Sequence, residues 1–190
     1  MPRMINNISD HLPRNLFINE ILKKEYEKGR KILILGDRRE YLNRTQKWCD
    51  ENIKKDAAGQ YVGGMKPFDL HESQKKDVIL GTFSMAAEGM DIPKLNTIIL
   101  ASPKSDVVQA VGRIMREKAN VRKFHPLIID INDTHPNFDT FKRQNQKRIT
   151  FYNKQKYKIY LHKTDGQIEE YKKVRKSKIA KKGVCLIDDD

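Results

Sequence analysis

Cysteine is scarce in this chain, with two among 190 residues, which excludes a small scaffold stapled by disulfides. Cys49 and Cys185 lie far apart and neither belongs to a C-x-x-C, so the thiols imply a reducing, intracellular compartment. No run approaches the roughly 20 apolar residues needed to cross a bilayer, and the first residues carry no apolar core of the secretory-leader kind. The five histidines are scattered, with His125 and His135 each preceding a proline. No zinc-ligand spacing emerges, and we expect no metal site. Two phosphate-binding signatures are missing as well. A G-x-x-x-x-G-K-S/T loop, which would cradle a polyphosphate, occurs nowhere. Neither does the G-x-G-x-x-G turn, which argues against a nucleotide-dependent metabolic enzyme on a doubly wound sheet.

What the chain does carry is positive charge: a formal net charge of +13 with 33% charged residues. A surplus of that size points to a polyanion partner, bound through release of its condensed counterions. Solubility alone is the plainer explanation. A membrane surface fits less well, because the basic residues do not alternate with a strong apolar face.

The apolar pattern predicts an α/β chain. Residues 10–28 read as a helix capped by Asp10, with Pro13 in its first turn and Gly29 as its stop. Residues 31–35 form a continuous apolar run that fits a strand buried on both faces. After Gly36-Asp37 a helix is expected to about Lys55, with Leu42, Thr45 and Trp48 or Cys49 facing inward. A short strand at 60–62 leads to the Gly63-Gly64 loop, and 67–76 reads as a brief helix. Further strands are expected at 77–82, 96–101 and 126–131, with helices from 106 and at 136–150. Strands alternating with helices imply parallel crossovers, hence a mostly parallel sheet of five or more strands covered on both faces. Ligands of such sheets bind beyond the carboxyl ends of the strands. That rule gathers Gly36-Asp37-Arg38, Gly63-Gly64, Thr82 and the loop after Ala101 on one edge.

The chemistry concentrates in residues 109–116, Gln-Ala-Val-Gly-Arg-Ile-Met-Arg. On a helix Gln109, Arg113 and Arg116 would share one face, while Val107, Ala110, Val111 and Ile114 would seat the other in a core. Ser105 or Asp106 would cap it. Two planar guanidiniums make a receptor for a polyphosphate; the plainer alternative is a basic helix paired with surface carboxylates. With no phosphate loop present, these arginines would complete a site that belongs to another domain. Gly36-Asp37-Arg38 and Gly63-Gly64-Met65-Lys66 could bring backbone N–H groups and basic side chains to phosphate oxygens, or could simply connect elements. Trp48, mid-helix, reads as core and not as a base-stacking platform. Asp130 and Asp133 read as turn residues.

Three blocks carry a family resemblance: residues 31–38, 82–93 and 109–116. Together they resemble the second RecA-like domain of superfamily 2 helicases, with 82–93 similar to motif V and 109–116 to motif VI, whose Q-x-x-G-R-x-x-R pattern is matched in full. The resemblance covers residues 7–157. The variant at 88–93 and Gln109 look closer to viral and phage DNA helicases than to DEAD-box proteins, and 143–157 is similar to the tail of the large-DNA-virus group. A viral source would place the protein in host cytoplasm or virion. The resemblance implies a RecA-like three-layer fold in which Arg113 and Arg116 are arginine fingers, Gln109 holds the phosphate or water network, and Gly112 permits close approach. Gly89 and Asp91 would lie near the nucleotide, Asp91 reaching the ribose or orienting a finger, or serving only as a turn cap. Thr82 would touch the nucleic-acid backbone. The interval from Thr82 to Asp91 is one residue longer than in the common DEAD-box form, so Ser84 could share that role. ATP and Mg²⁺ would be held mainly by an N-terminal lobe, and DNA is favoured over RNA as the polymer.

Residues 1–150 are thus expected to form the helicase C-terminal domain, with 1–9 a linker from the other lobe. Residues 151–190 would be a basic extension: a hairpin of 157–161 and 167–171 around Thr164-Asp165-Gly166, then an arm with seven basic residues in the eleven from 172 to 182. The terminal Asp188-Asp189-Asp190 reads as a natural end; whether Met1 is a natural start stays open. The rival to a motor domain is a non-catalytic nucleic-acid-binding module of the same shape, which would not need both arginines of motif VI.

Overall fold

The computed structural model describes residues 2–88, 90–92, 94–117, 120–133, 139–163 and 166–171. The chain divides into two compact units, Met1–Phe151 and Tyr152–Asp190. Gly89, His135, Thr164, Asp165, the lysine-rich arm at 172–182 and Cys185 lie outside the described residues.

Five four-residue strands build the larger unit's sheet: β1 (Ile32–Leu35), β2 (Ala58–Tyr61), β3 (Val78–Gly81), β4 (Thr97–Leu100) and β5 (Leu127–Asp130). They run in the order β2-β3-β1-β4-β5, and every pairing is parallel. The central strands β1, β3 and β4 are buried at every position, which accounts for their largely apolar sequences, Thr97 of β4 excepted. On one face Ile32 and Ile34 pack with Ile18 and Leu22 of α2 (Leu12–Glu27) and with Leu42 and Cys49 of α3 (Arg39–Asn52). Leu33, Ile79 and Ile98 share a register and face the other way. There a Cβ on Gly59 would sit 2.9 Å from Ser73 in α4 (Pro67–Lys75), and one on Gly81 would sit 3.4 Å from Met90. The expected α/β architecture, helices over both faces of a parallel sheet, is the one observed.

Several local expectations change. Within the segment expected to link from the other lobe, α1 (Pro2–Asp10) is helical. Its end is held from outside: the Arg44 guanidinium donates to Ser9 O at 2.8 Å and to the Asp10 carboxylate at 2.7 Å. Asp10 therefore belongs to α1 and does not cap α2, whose cap is His11, with Nδ1 accepting from Arg14 N at 3.3 Å. Gly29 does stop α2, at a φ of +80° that a side chain would resist. Trp48 is half-buried against the core that holds Leu42 and Cys49.

Two arginines, Arg148 buried and Arg14 partly so, lock the β4 and β5 ends. Arg14 pairs with Asp133 at 2.5 Å and donates to Ala101 O at 2.7 Å. Arg148, in α7 (Asp139–Lys154), pairs with Asp130 at 2.8 Å and donates to Lys104 O at 2.7 Å. Both aspartates thus anchor arginines, and no metal-binding group is found among the described residues.

In the smaller unit β6 (Tyr160–His162) and β7 (Ile168–Glu170) pair antiparallel, Leu161 opposite Glu169. Within the same unit the Tyr152 and Tyr157 rings stack 6.4 Å apart.

Candidate nucleotide and nucleic-acid site

Helix α5 (Phe83–Ala87) opens the segment that follows β3. Thr82 is its N-cap, its hydroxyl accepting from Met85 N at 3.4 Å. The chain then leaves toward β4 through Met90 and Ile92, both buried, with Asp91 between them and exposed. Alternation about those two anchors is what turns the Asp91 carboxylate outward.

Helix α6 (Val108–Ile114) carries Arg113, and Arg116 follows two residues past its end. Val107, Ala110, Val111 and Ile114 are all buried, as the spacing predicts. Val107 is the N-cap residue, and the Asp106 carboxylate accepts from Val108 N at 3.1 Å. The helix ends at Ile114, so Arg116 does not share a helical face with Gln109 and Arg113. The Met115 carbonyl accepts instead from Arg122 Nη2 at 3.1 Å, which holds the chain in a turn there.

That turn separates the two guanidiniums by environment. Arg113 is only 9% exposed; its Nε donates to Ala86 O at 2.9 Å and its Nη2 to Ala87 O at 3.0 Å. These are last-turn carbonyls of α5, which lack helical partners and carry the negative end of the helix dipole. Arg116 is half exposed and pairs with the still more exposed Asp91 at 2.5 Å. A depression of about 300 Å³ opens beside them, lined by Val108, Gln109, Gly112, Arg113 and Arg116. It holds two cations and no lining carboxylate, so it suits an anion. A Cβ on Gly112 would meet nothing within 4 Å, so close packing inside this unit is not what favours glycine there.

The carboxyl edge of the sheet brings the other expected residues together. Gly36 N donates to Gly81 O at 3.0 Å and Asp37 N to Ser102 Oγ at 3.0 Å. The N–H groups of Gly36 and Asp37 are therefore committed inside the fold, as the plainer of the two readings, a connection between elements, requires. Arg38 Nε donates to Asn6 Oδ1 at 2.6 Å. Arg39 reaches across to donate to Gly63 O, and a Cβ on Gly63 would lie 3.9 Å from both Arg39 Nη2 and Met85 Sδ. The loops after β1, β2 and β3 thus converge. Ser84, Gly64 and Lys66 are exposed there. So is Phe68, which sequence reasoning passed over; its signal was an aromatic directly after Lys66-Pro67, in the first turn of α4.

A five-stranded parallel sheet covered by helices, with Arg113 on a short helix after β4 and Arg116 just beyond its end, defines a RecA-like lobe. The chain belongs to the helicase C-terminal domain family, whose pattern, the helicase conserved C-terminal domain, matches residues 14–118. It is 38% identical over 158 residues to "Putative ATP-dependent RNA helicase L396" of Acanthamoeba polyphaga mimivirus, a match that covers 83% of this chain and 30% of that protein. The chain therefore spans under a third of this relative's length. Its fold is similar to the crystal structure of T4 UvsW (TM-score 0.62, 16% identity, 83% of this chain and 35% of that one). It is also similar to the DUF1998 helicase MrfA bound to DNA and AMPPNP (TM-score 0.56, 18% identity, 74% and 20%).

Proposed function

We propose that this chain is the C-terminal motor lobe of an ATP-dependent nucleic-acid helicase or translocase, and that Arg116 is its arginine finger. The observation that carries the reading is the unequal setting of the two arginines. Arg113 is committed to the Ala86 and Ala87 carbonyls, whereas the partner of Arg116 among the described residues is an exposed carboxylate. Exposed ion pairs are worth roughly 0–1 kcal/mol, so Arg116 can exchange Asp91 for a phosphate at little cost. Asp91 then orients the finger in its resting position, the second of the two roles the resemblance implies for it. Gln109 is exposed at the rim of the same depression and can order water or a phosphate oxygen.

ATP supplies the γ-phosphoryl group, and Mg²⁺ and the phosphate loop belong to an N-terminal lobe outside this chain. What this chain contributes is a positive charge delivered across the cleft, worth about 10³–10⁵ in rate where such groups have been removed. Gly89 would border the same cleft. On the carboxyl edge Arg38, Lys66, Thr82, Ser84 and the Gly63-Gly64 turn would grip the strand backbone, a contact that reads charge and not base identity. The sequence favours DNA, while the mimivirus relative is named for RNA; the binding experiment below compares the two polymers. Residues 1–150 would be the lobe and 151–190 a basic extension.

The test mixes this chain with a separately expressed N-terminal lobe carrying the phosphate loop. Hydrolysis should appear only in the mixture and should fall by at least about 10³-fold with Arg116→Ala. Steady ATPase from this chain alone, or a full rate with Arg116→Ala, would refute the assignment.

A further inference from the structure

Phe68 is the most exposed large apolar side chain among the described residues, with 72% of its surface open. A single exposed apolar residue is ordinary; its position is not. Pro67 opens α4 immediately after the β2 loop, so Phe68 stands at the carboxyl edge of the sheet, two residues past the exposed Lys66. On that edge Arg39 bonds to Gly63, and Gly63 lies beside Met85 of α5, which brings the β1, β2 and β3 loops around the same surface. Glu72, one turn along α4, is paired with Lys75 at 2.6 Å, so it leaves little local charge to repel a phosphate. An open aromatic face thus stands near Lys66 on the edge that Arg38 and Arg39 share, with the exposed Asp69 carboxylate next to it in sequence.

We propose that Phe68 is a stacking platform for an unpaired nucleobase of the strand whose backbone lies along Arg38, Arg39 and Lys66. The inference rests on the nucleic-acid reading above and adds a base contact to it. Every base has a π-face, so the contact tolerates any sequence and either sugar. Cations on the rim hold the backbone within reach of the ring.

The test uses the full chain with dT and rU oligonucleotides carrying one 2-aminopurine at successive positions, read by fluorescence and by anisotropy. One position should be quenched on binding. Phe68→Trp should keep that quench, whereas Phe68→Ala and Phe68→Leu should lose it and bind about ten-fold more weakly. The leucine variant separates stacking from general apolar contact. An abasic site at the quenched position should weaken the wild type about as much as Phe68→Ala does, and should add nothing further to that variant. Equal affinity and equal quench in Phe68→Ala, with Lys66→Ala still weakened, would overturn the platform and leave the nucleic-acid reading standing. No salt-sensitive binding by the wild type would overturn both. If Phe68→Ala changes only self-association without oligonucleotide, the ring belongs to a protein contact and the proposal fails.

Discussion

Replacing Arg113 and Arg116 separately should give opposite signatures. Arg113→Ala removes two charge-assisted bonds, at 2.9 and 3.0 Å, from carbonyls that have no helical partner, on a side chain 9% exposed. Bonds to charged groups contribute about 1.5–3 kcal/mol each, but water entering through the adjacent depression would restore part of the loss. We expect a net destabilisation of about 2–4 kcal/mol, a fall in Tm on the order of 5–15 °C for a domain of this size. Arg116→Ala breaks a pair whose side chains are 48% and 78% exposed, and should cost no more than about 1 kcal/mol. Arg113→Lys keeps the charge without the fork that serves two carbonyls, and should fall between them. Calorimetry on the 190-residue chain measures all three. Equal losses from the two alanine variants, or a silent Arg113→Ala, would refute the division into anchor and finger. The sequence alone predicts that Arg113→Ala abolishes turnover and spares DNA binding; the structure adds that this variant is weakened in its fold, so turnover must be read below its Tm.

Arg148→Ala should cost about 3–5 kcal/mol, because it removes the buried guanidinium that pairs with Asp130 and donates to the Lys104 carbonyl; Arg148→Met combined with Asp130→Leu should recover much of that loss in thermal melts. Burial pushes the Cys49 thiol up to about 12. A raised pKa favours the fold below the thiol's ordinary value and loses that advantage as pH climbs. Stability should therefore fall from about pH 9 to pH 12, less steeply in Cys49→Ala, though Tyr41, raised by burial as well, keeps a slope of the same sign. In Cys185→Ser, Cys49 should resist thiol reagents at pH 8 until urea unfolds the chain, and prompt labelling would contradict its burial.

The parallel sheet was legible because β1, β3 and β4 are buried on both faces and so read as largely apolar runs. The core face of α6 was legible for the same kind of reason, a periodicity that only burial explains. What was hidden depends on partners distant in sequence. α1 has Asn6-Asn7 in its middle, poor helix formers, and is held by arginines from α3 and its N-cap. Nothing in residues 109–116 reveals that Arg113 is taken by α5 or that the helix stops before Arg116. The N–H groups of Gly36 and Asp37 are consumed by Gly81 and Ser102, which only the assembled sheet brings near.

Thr82 caps one end of α5 and Arg113 clasps the other, five residues away. At 1.5 Å per residue that is a rod of about 7–8 Å. A rod so short has no room to bend, so a shift of the arginine helix transmitted through Arg113 would carry the threonine with it. If Thr82 grips the strand and the arginines face the cleft as proposed, those two sides of the lobe would be two ends of one strut, and lengthening or loosening it would uncouple them.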